Sequence, residues 1–169
     1  MTVRARVAFT LCVSEQLMPE LFDDESGYLL AKKCITMISS WLSGEAVCGH
    51  DLNDLLMNQF DEGIFAKIDY RTKKITDLAY TVVGAATSYA AWHAYRAEKA
   101  FLPEGIEAIT EEFVQWLVDE AGKSQLFDTT FVEKTYDYLT ECYRTDDVAD
   151  LGPTIDFENL KQAVRLKMS

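Results

Sequence analysis

The sequence predicts an all-α fold, a single-domain bundle of seven or eight helices around a long central helix rich in small residues. Three observations carry that expectation. The chain has 169 residues, the length of one ordinary domain. Its 8 glycines and 3 prolines are too few for a sandwich or barrel, which needs a turn about every 8–12 residues. Apolar residues recur three and four positions apart along most of the chain, the spacing that gathers them on one face of a helix. With 49% apolar residues, the chain buries enough surface to offset its ordering entropy, so whole-chain disorder is excluded.

Thr2 is placed to cap a first helix over 3–21, where Val3, Val7, Leu11, Met18 and Leu21 fall at helical spacing. Asp23, Asp24 and Glu25 supply carboxylates for the start of a second helix over 27–43, where the helix macrodipole favours them. Leu30, Cys34, Met37, Ile38, Trp41 and Leu42 form its apolar face, and Gly44 is its stop. A short segment over 51–60 sets Leu52, Leu55, Leu56 and Phe60 on one side. Residues 61–74 read equally as a strand or a short helix and end in a basic cluster of Arg71, Lys73 and Lys74. The longest pattern runs over 75–101 through Ile75, Leu78, Ala79, Val82, Ala86, Tyr89, Ala90, His93, Ala94, Ala97 and Phe101. Its small residues let a neighbouring helix approach closely, and Pro103 ends it.

Thr110 is the expected N-cap of a helix over 111–121, with Glu111 and Glu112 in its first turn. Phe113, Trp116, Leu117 and Ala121 are expected to face inward, and Gly122 to stop it. Thr129 or Thr130 is placed to cap the next helix, which carries Phe131, Tyr138, Leu139 and Cys142. Residues 146–153 form a polar connection, and Asp156 caps a last helix bearing Phe157, Leu160 and Val164. The core is expected around the 75–101 helix, with the 3–21, 27–43 and 111–121 helices packed on it.

The net charge is −12, from 16 Lys+Arg against 28 Asp+Glu. Such a chain repels a nucleic-acid backbone or an anionic membrane, and its natural partner is a basic protein. The charge is unevenly spread. Residues 1–103 hold 13 acidic and 10 basic side chains, residues 104–158 hold 15 and 3, and residues 159–169 hold three basic and no acidic ones. The acidic stretch reads either as a solvated face or as a docking surface that speeds association with a basic partner.

Arg4 and Arg6 ahead of the apolar run 7–13 mimic a short signal peptide, but no small-x-small cleavage pattern follows, so export is not expected. The apolar run over 78–92 contains Thr81, Gly84, Thr87 and Ser88 and is shorter than the roughly 20 residues of a membrane helix. Cys12, Cys34, Cys48 and Cys142 form no CxxC pair, which points to reduced, buried thiols in the cytoplasm.

No catalytic signature stands out. HExxH, GxSxG, GxGxxG and GxxxxGK[ST] are missing, and neither His50 nor His93 has a carboxylate three residues before it, as a helical di-iron site requires. Cys48 and His50 lie two residues apart, but no second cluster offers the further ligands a zinc site needs. Asp146, Asp147 and Asp150 do not follow the calcium-loop pattern. No cofactor or metal is expected. Tyr136, Tyr138 and Tyr143 sit among Glu133, Asp137 and Glu141. Tyr136 and Tyr138 cannot share a helix face, so one of them stands exposed among acids, as the aromatic anchor of a protein-binding surface does.

Three stretches carry a resemblance: Arg6-Val-Ala-Phe-Thr-Leu-Cys-Val-Ser-Glu-Gln-Leu-Met-Pro-Glu-Leu, Ser39-Ser-Trp-Leu-Ser-Gly-Glu, and Ser88-Tyr-Ala-Ala-Trp-His-Ala-Tyr-Arg-Ala-Glu-Lys running into Leu102-Pro-Glu-Gly-Ile-Glu-Ala-Ile-Thr-Glu-Glu-Phe. In this order they resemble the sixth family of immunity proteins from bacterial polymorphic toxin systems, over roughly residues 3–120. This chain has Pro103-Glu104 where the family favours Pro-Gln. Trp41, Trp92 and Tyr95 are expected to pack the core, and no binding residue carries over from the family. The resemblance implies a small helical protein without chemistry of its own, which binds one toxin tightly in the cytoplasm. A toxin that acts on nucleic acid is itself basic, so a nuclease is the first expectation and an ADP-ribosyltransferase the second. The expected toxin contacts are Glu133, Tyr136, Asp137, Tyr138, Glu141, Asp146, Asp147 and Asp150. Two other readings stay open: a small helical enzyme with a carboxylate or Cys/His site, and an adaptor for a different basic protein.

Overall fold

A computed structural model describes residues 1–57, 62–69, 71 and 74–168. Among these residues the regular structure is helical: α1 (Val3–Glu15), α2 (Glu25–Ser43), α3 (Gly49–Asp54), α4 (Ile75–Glu98), α5 (Phe113–Ala121), α6 (Thr129–Cys142) and α7 (Phe157–Met168), with 3-10 turns over Met18–Leu21 and Ile64–Lys67. The expected all-α architecture stands.

The central element is α4. Every residue from 82 to 95 is buried, because α1, α2, α3 and α5 all pack against it. Its small residues make this enclosure achievable. A side chain at Gly84 would begin 2.5 Å from a ring carbon of Phe65, so any larger residue there forces that ring to move. Trp41, Trp92 and Tyr95 lie in the core as expected.

The ends of several elements follow from local chemistry. The Thr2 side chain accepts from the Ala5 amide, and Asp24 accepts from the Gly27 amide at 3.0 Å to cap α2. Asp24 also accepts from the buried Tyr80 hydroxyl at 2.5 Å, which fixes α2 against α4. Gly44 ends α2 in the left-handed conformation, with φ of 85°. The first amides of α1 have no partner within the helix, and the 143–151 connection supplies it. The Thr2, Val3 and Arg4 amides donate to the carbonyls of Tyr143, Asp150 and Leu151 at 2.9, 2.8 and 3.1 Å.

Several boundaries and orientations differ from expectation. The pattern over 3–21 does not form one helix: α1 stops at Glu15, and Pro19, which lacks an amide hydrogen, sits in a 3-10 turn. The expected strand or helix over 61–74 resolves into the 3-10 turn at Ile64–Lys67, while Phe60 and Lys73 lie outside the described residues. The long helix is shorter at its end than 75–101: Lys99 takes a left-handed φ of 55°, and Phe101 is 91% exposed. Ile75 and Ala97 also face outward. Glu111 and Glu112 precede α5 rather than forming its first turn. Asp128, not Thr129 or Thr130, caps α6, accepting from the Phe131 amide at 3.0 Å. The four thiols are free, but only Cys12 and Cys34 are buried; Cys142 is exposed.

Candidate functional site

The acidic third of the sequence folds as α5, α6 and the connections around them. The expected contact residues separate into three groups there. Glu133, Tyr136 and Asp137 come together on α6, where Val132, Thr135 and Leu139 face the core and these three face out. Tyr136 is 49% exposed and rests its ring edge-to-face on Phe9 of α1, with centroids 5.6 Å apart. Tyr136 is therefore the exposed tyrosine of the pair. Tyr138 is only partly exposed and packs against the core.

Tyr138 and Glu141 form the second group, and α7 occupies both. The Lys167 ammonium donates to Glu141 at 2.7 Å and lies 4.9 Å from the Tyr138 ring centroid. This contact holds the Glu141 carboxyl below the usual carboxylate range. The third group, Asp146, Asp147 and Asp150, lies in the connection over the start of α1. The Ala149 amide donates to Asp147 and the Gly152 amide to Asp150, which shapes the connection.

Between α5 and α6 runs a groove of about 240 Å³. Phe9 forms its floor, Val114, Val118 and Val132 its apolar walls, and Gln115, Glu133 and Asp137 its rims. Gln115 donates to Asp119, one helical turn further along α5, at 2.9 Å. Among the described residues, neither Glu133 nor Asp137 has a hydrogen-bond or ion-pair partner.

Trp116 corrects an expectation. It is 42% exposed, stacked on Phe113 at 5.0 Å, while Leu117 and Ala121 take the inward positions. Helical spacing carried the signal: 113, 117 and 121 lie on one line, and 116 falls on its flank. Val114 and Val118 were not singled out in the sequence, because a groove needs two helices and periodicity describes one.

A second concave region, of about 400 Å³, is lined by Val3, His93, Arg96, Ala97, Glu111, Val148, Ala149 and Leu151. Glu111 ties three segments together beside it. Arg6 of α1 donates to it at 3.1 Å and makes a second ion-pair contact at 3.0 Å, and the buried Tyr89 hydroxyl of α4 donates at 2.6 Å. Burial and this hydrogen bond push the tyrosine hydroxyl up from its ordinary range. His93 is 4% exposed, with its ring between those of Tyr89 and Trp92, each at 4.6 Å. Its Nε2 is buried without a hydrogen-bond partner and lies 3.9 Å from Glu111. Burial, with the positive charges of Arg6 and Arg96, lowers its pKa to about 3.

The sign of that shift makes a prediction. A histidine with a depressed folded pKa contributes stability that is complete above its unfolded value, about 6.5, and is lost as pH falls toward 3. Between pH 7 and pH 5 the chain is expected to lose about 2 kcal/mol of unfolding free energy through this one residue. Urea unfolding of the chain and of His93→Gln at both pH values checks it: the variant's stability should change less with pH.

Cys48 and His50 are not brought together as a catalytic pair. The Cys48 amide donates to Asp51 at 2.9 Å at the start of α3, and the exposed His50 lies 3.6 Å from Asp54. Among the described residues, no three His, Cys, Asp or Glu side chains are grouped to hold a metal ion, and no helix is long and apolar enough to cross a membrane.

The geometry defines a helical protein with an apolar groove between α5 and α6 that is edged by Glu133, Tyr136 and Asp137. A model of the family described as Immunity protein Imm6 matches residues 5–124, so the chain belongs to the Imm6 immunity protein family. The match runs from within α1 to just past α5. No curated protein and no solved structure matches the chain.

Proposed function

We propose that this chain neutralises a cognate antibacterial toxin, delivered by cell contact or by a secretion system, in the cytoplasm. It does so by docking an acidic surface on a basic toxin domain, without catalysis of its own. The observation that carries this reading is the family match over 5–124. The charge supports the mode of binding: 15 acidic and 3 basic side chains fall in residues 104–158, and α7 neutralises only part of the excess, at Glu141 and Glu158. A toxin that holds nucleic acid presents a basic surface, so a nuclease suits this inhibitor best and an ADP-ribosyltransferase second. The expected contacts remain Glu133, Tyr136, Asp137, Tyr138, Glu141, Asp146, Asp147 and Asp150, with Glu133, Tyr136 and Asp137 now foremost because they edge the α5–α6 groove.

The test is growth rescue. The gene immediately upstream is expressed in a bacterium with and without this chain, and the pair is then co-purified. The expected result is toxicity alone, survival together and a stable complex. An upstream product that is harmless, or rescue without a physical complex, overturns the reading.

One observation favours a second reading. The concave region at His93 brings an imidazole, Arg96 and Glu111 to one place, as a small helical enzyme would. On that reading, His93→Gln abolishes rescue while leaving the complex intact. On the immunity reading, the same variant still protects.

A further inference from the structure

We propose that the groove between α5 and α6 receives an apolar side chain of the toxin, carried on a segment whose neighbouring residues are lysine or arginine. This deepens the immunity reading and rests on it. The groove has the anatomy of an interface hot spot: an apolar centre and a polar rim. Phe9, Val114, Val118 and Val132 line an opening of about 240 Å³, large enough for one leucine, methionine or phenylalanine side chain. Tyr136 stands at its edge, held by the Phe9 ring, so it is already ordered before a partner arrives.

The rims specify the occupant's flanks. Glu133 and Asp137 are one helical turn apart on α6, and Gln115 faces them from α5. Both acids stand on the α6 rim, so a cation beside the apolar anchor on that side finds a carboxylate. An anchor flanked by acids would be repelled, and one flanked by neutral residues would leave the rim charges without partners. The other expected contacts lack this combination: Lys167 covers Tyr138 and Glu141, and the residues 146–150 form a connection rather than the walls of this groove.

The experiment measures binding of the purified upstream-gene toxin domain to the full chain by surface plasmon resonance. Three variants are compared with the unmodified chain: Tyr136→Ala, the pair Glu133→Lys/Asp137→Lys, and the pair Glu104→Lys/Glu107→Lys. The last makes the same charge change at exposed positions that do not line the groove. Thermal melts by circular dichroism confirm that each is folded. Tyr136→Ala is expected to weaken binding about 10- to 100-fold, mainly through faster dissociation. The groove pair is expected to weaken it by about 100-fold or more, and the control pair by less than about 5-fold. Groove variants that bind within about 3-fold of the unmodified chain overturn the groove assignment. So does a control pair that loses as much as the groove pair, because charge alone would then explain both. An unmodified chain that fails to bind or protect overturns the immunity reading itself, and the groove with it.

Discussion

Glu111→Ala is expected to destabilise the chain by about 2–3 kcal/mol in urea unfolding, although the glutamate side chain is 44% exposed. The loss comes from what Glu111 satisfies. Arg6 is largely buried and reaches the carboxylate through two of its nitrogens, and the buried Tyr89 hydroxyl donates to the same group. Removing the carboxylate leaves a hydroxyl without an acceptor and a guanidinium with less compensation for its burial. Arg6 keeps its bonds to the carbonyls of Met1 and Val148, both at 2.7 Å, which holds the loss below that of a fully buried pair. Tyr89→Phe removes only the hydroxyl and is expected to cost about 1 kcal/mol. The two variants are expected to be non-additive, because both act on one carboxylate. A Glu111→Ala chain as stable as the original would show that this network does not hold α1 to α4.

Much of the fold was legible because it depends on local chemistry. The spacing of Leu52, Leu55 and Leu56, the capping carboxylate at Asp24, the stop at Gly44 and the cap at Asp156 all act within a few residues of themselves. The misreadings have three physical sources. Where three adjacent residues can all cap, as at 128–130, geometry rather than residue type decides, and Asp128 has it. Where a pattern runs across a proline, the missing amide breaks the helix even when apolar spacing continues, as at Pro19. Trp116 is apolar by type but falls on the flank of the line through 113, 117 and 121 that faces the core, and it is 42% exposed.

The candidate site was legible only in part. The acids and tyrosines of α6 stand next to one another in sequence, so their concentration was visible. Which of them stay unoccupied was not, because Lys167, which covers Tyr138 and Glu141, lies 26 residues beyond Glu141. The groove joins Phe9, Val114 and Val132 from three distant helices, and no pattern within one helix announces it. His93 reads in the sequence only as one position of the long helical pattern. It is nearly fully buried, and its Nε2 has no partner.

The association rate is expected to show the largest effect of the acidic surface. Opposite charges steer an encounter over distances comparable to the screening length, about 10 Å at 0.1 M salt and about 3 Å at 1 M. Once the complex forms, buried contacts rather than steering control its lifetime. Salt therefore acts on association far more than on dissociation. The most direct measurement is the association rate of the purified chain with the upstream-gene toxin domain, by stopped flow, at about 0.05 M and about 0.5 M salt. A docking surface made of unpaired acids predicts a rate at least about tenfold lower at the higher salt, with a shallower dependence for Glu133→Lys/Asp137→Lys. An association rate that is indifferent to salt, or that rises with it, would contradict an acidic surface meeting a basic toxin.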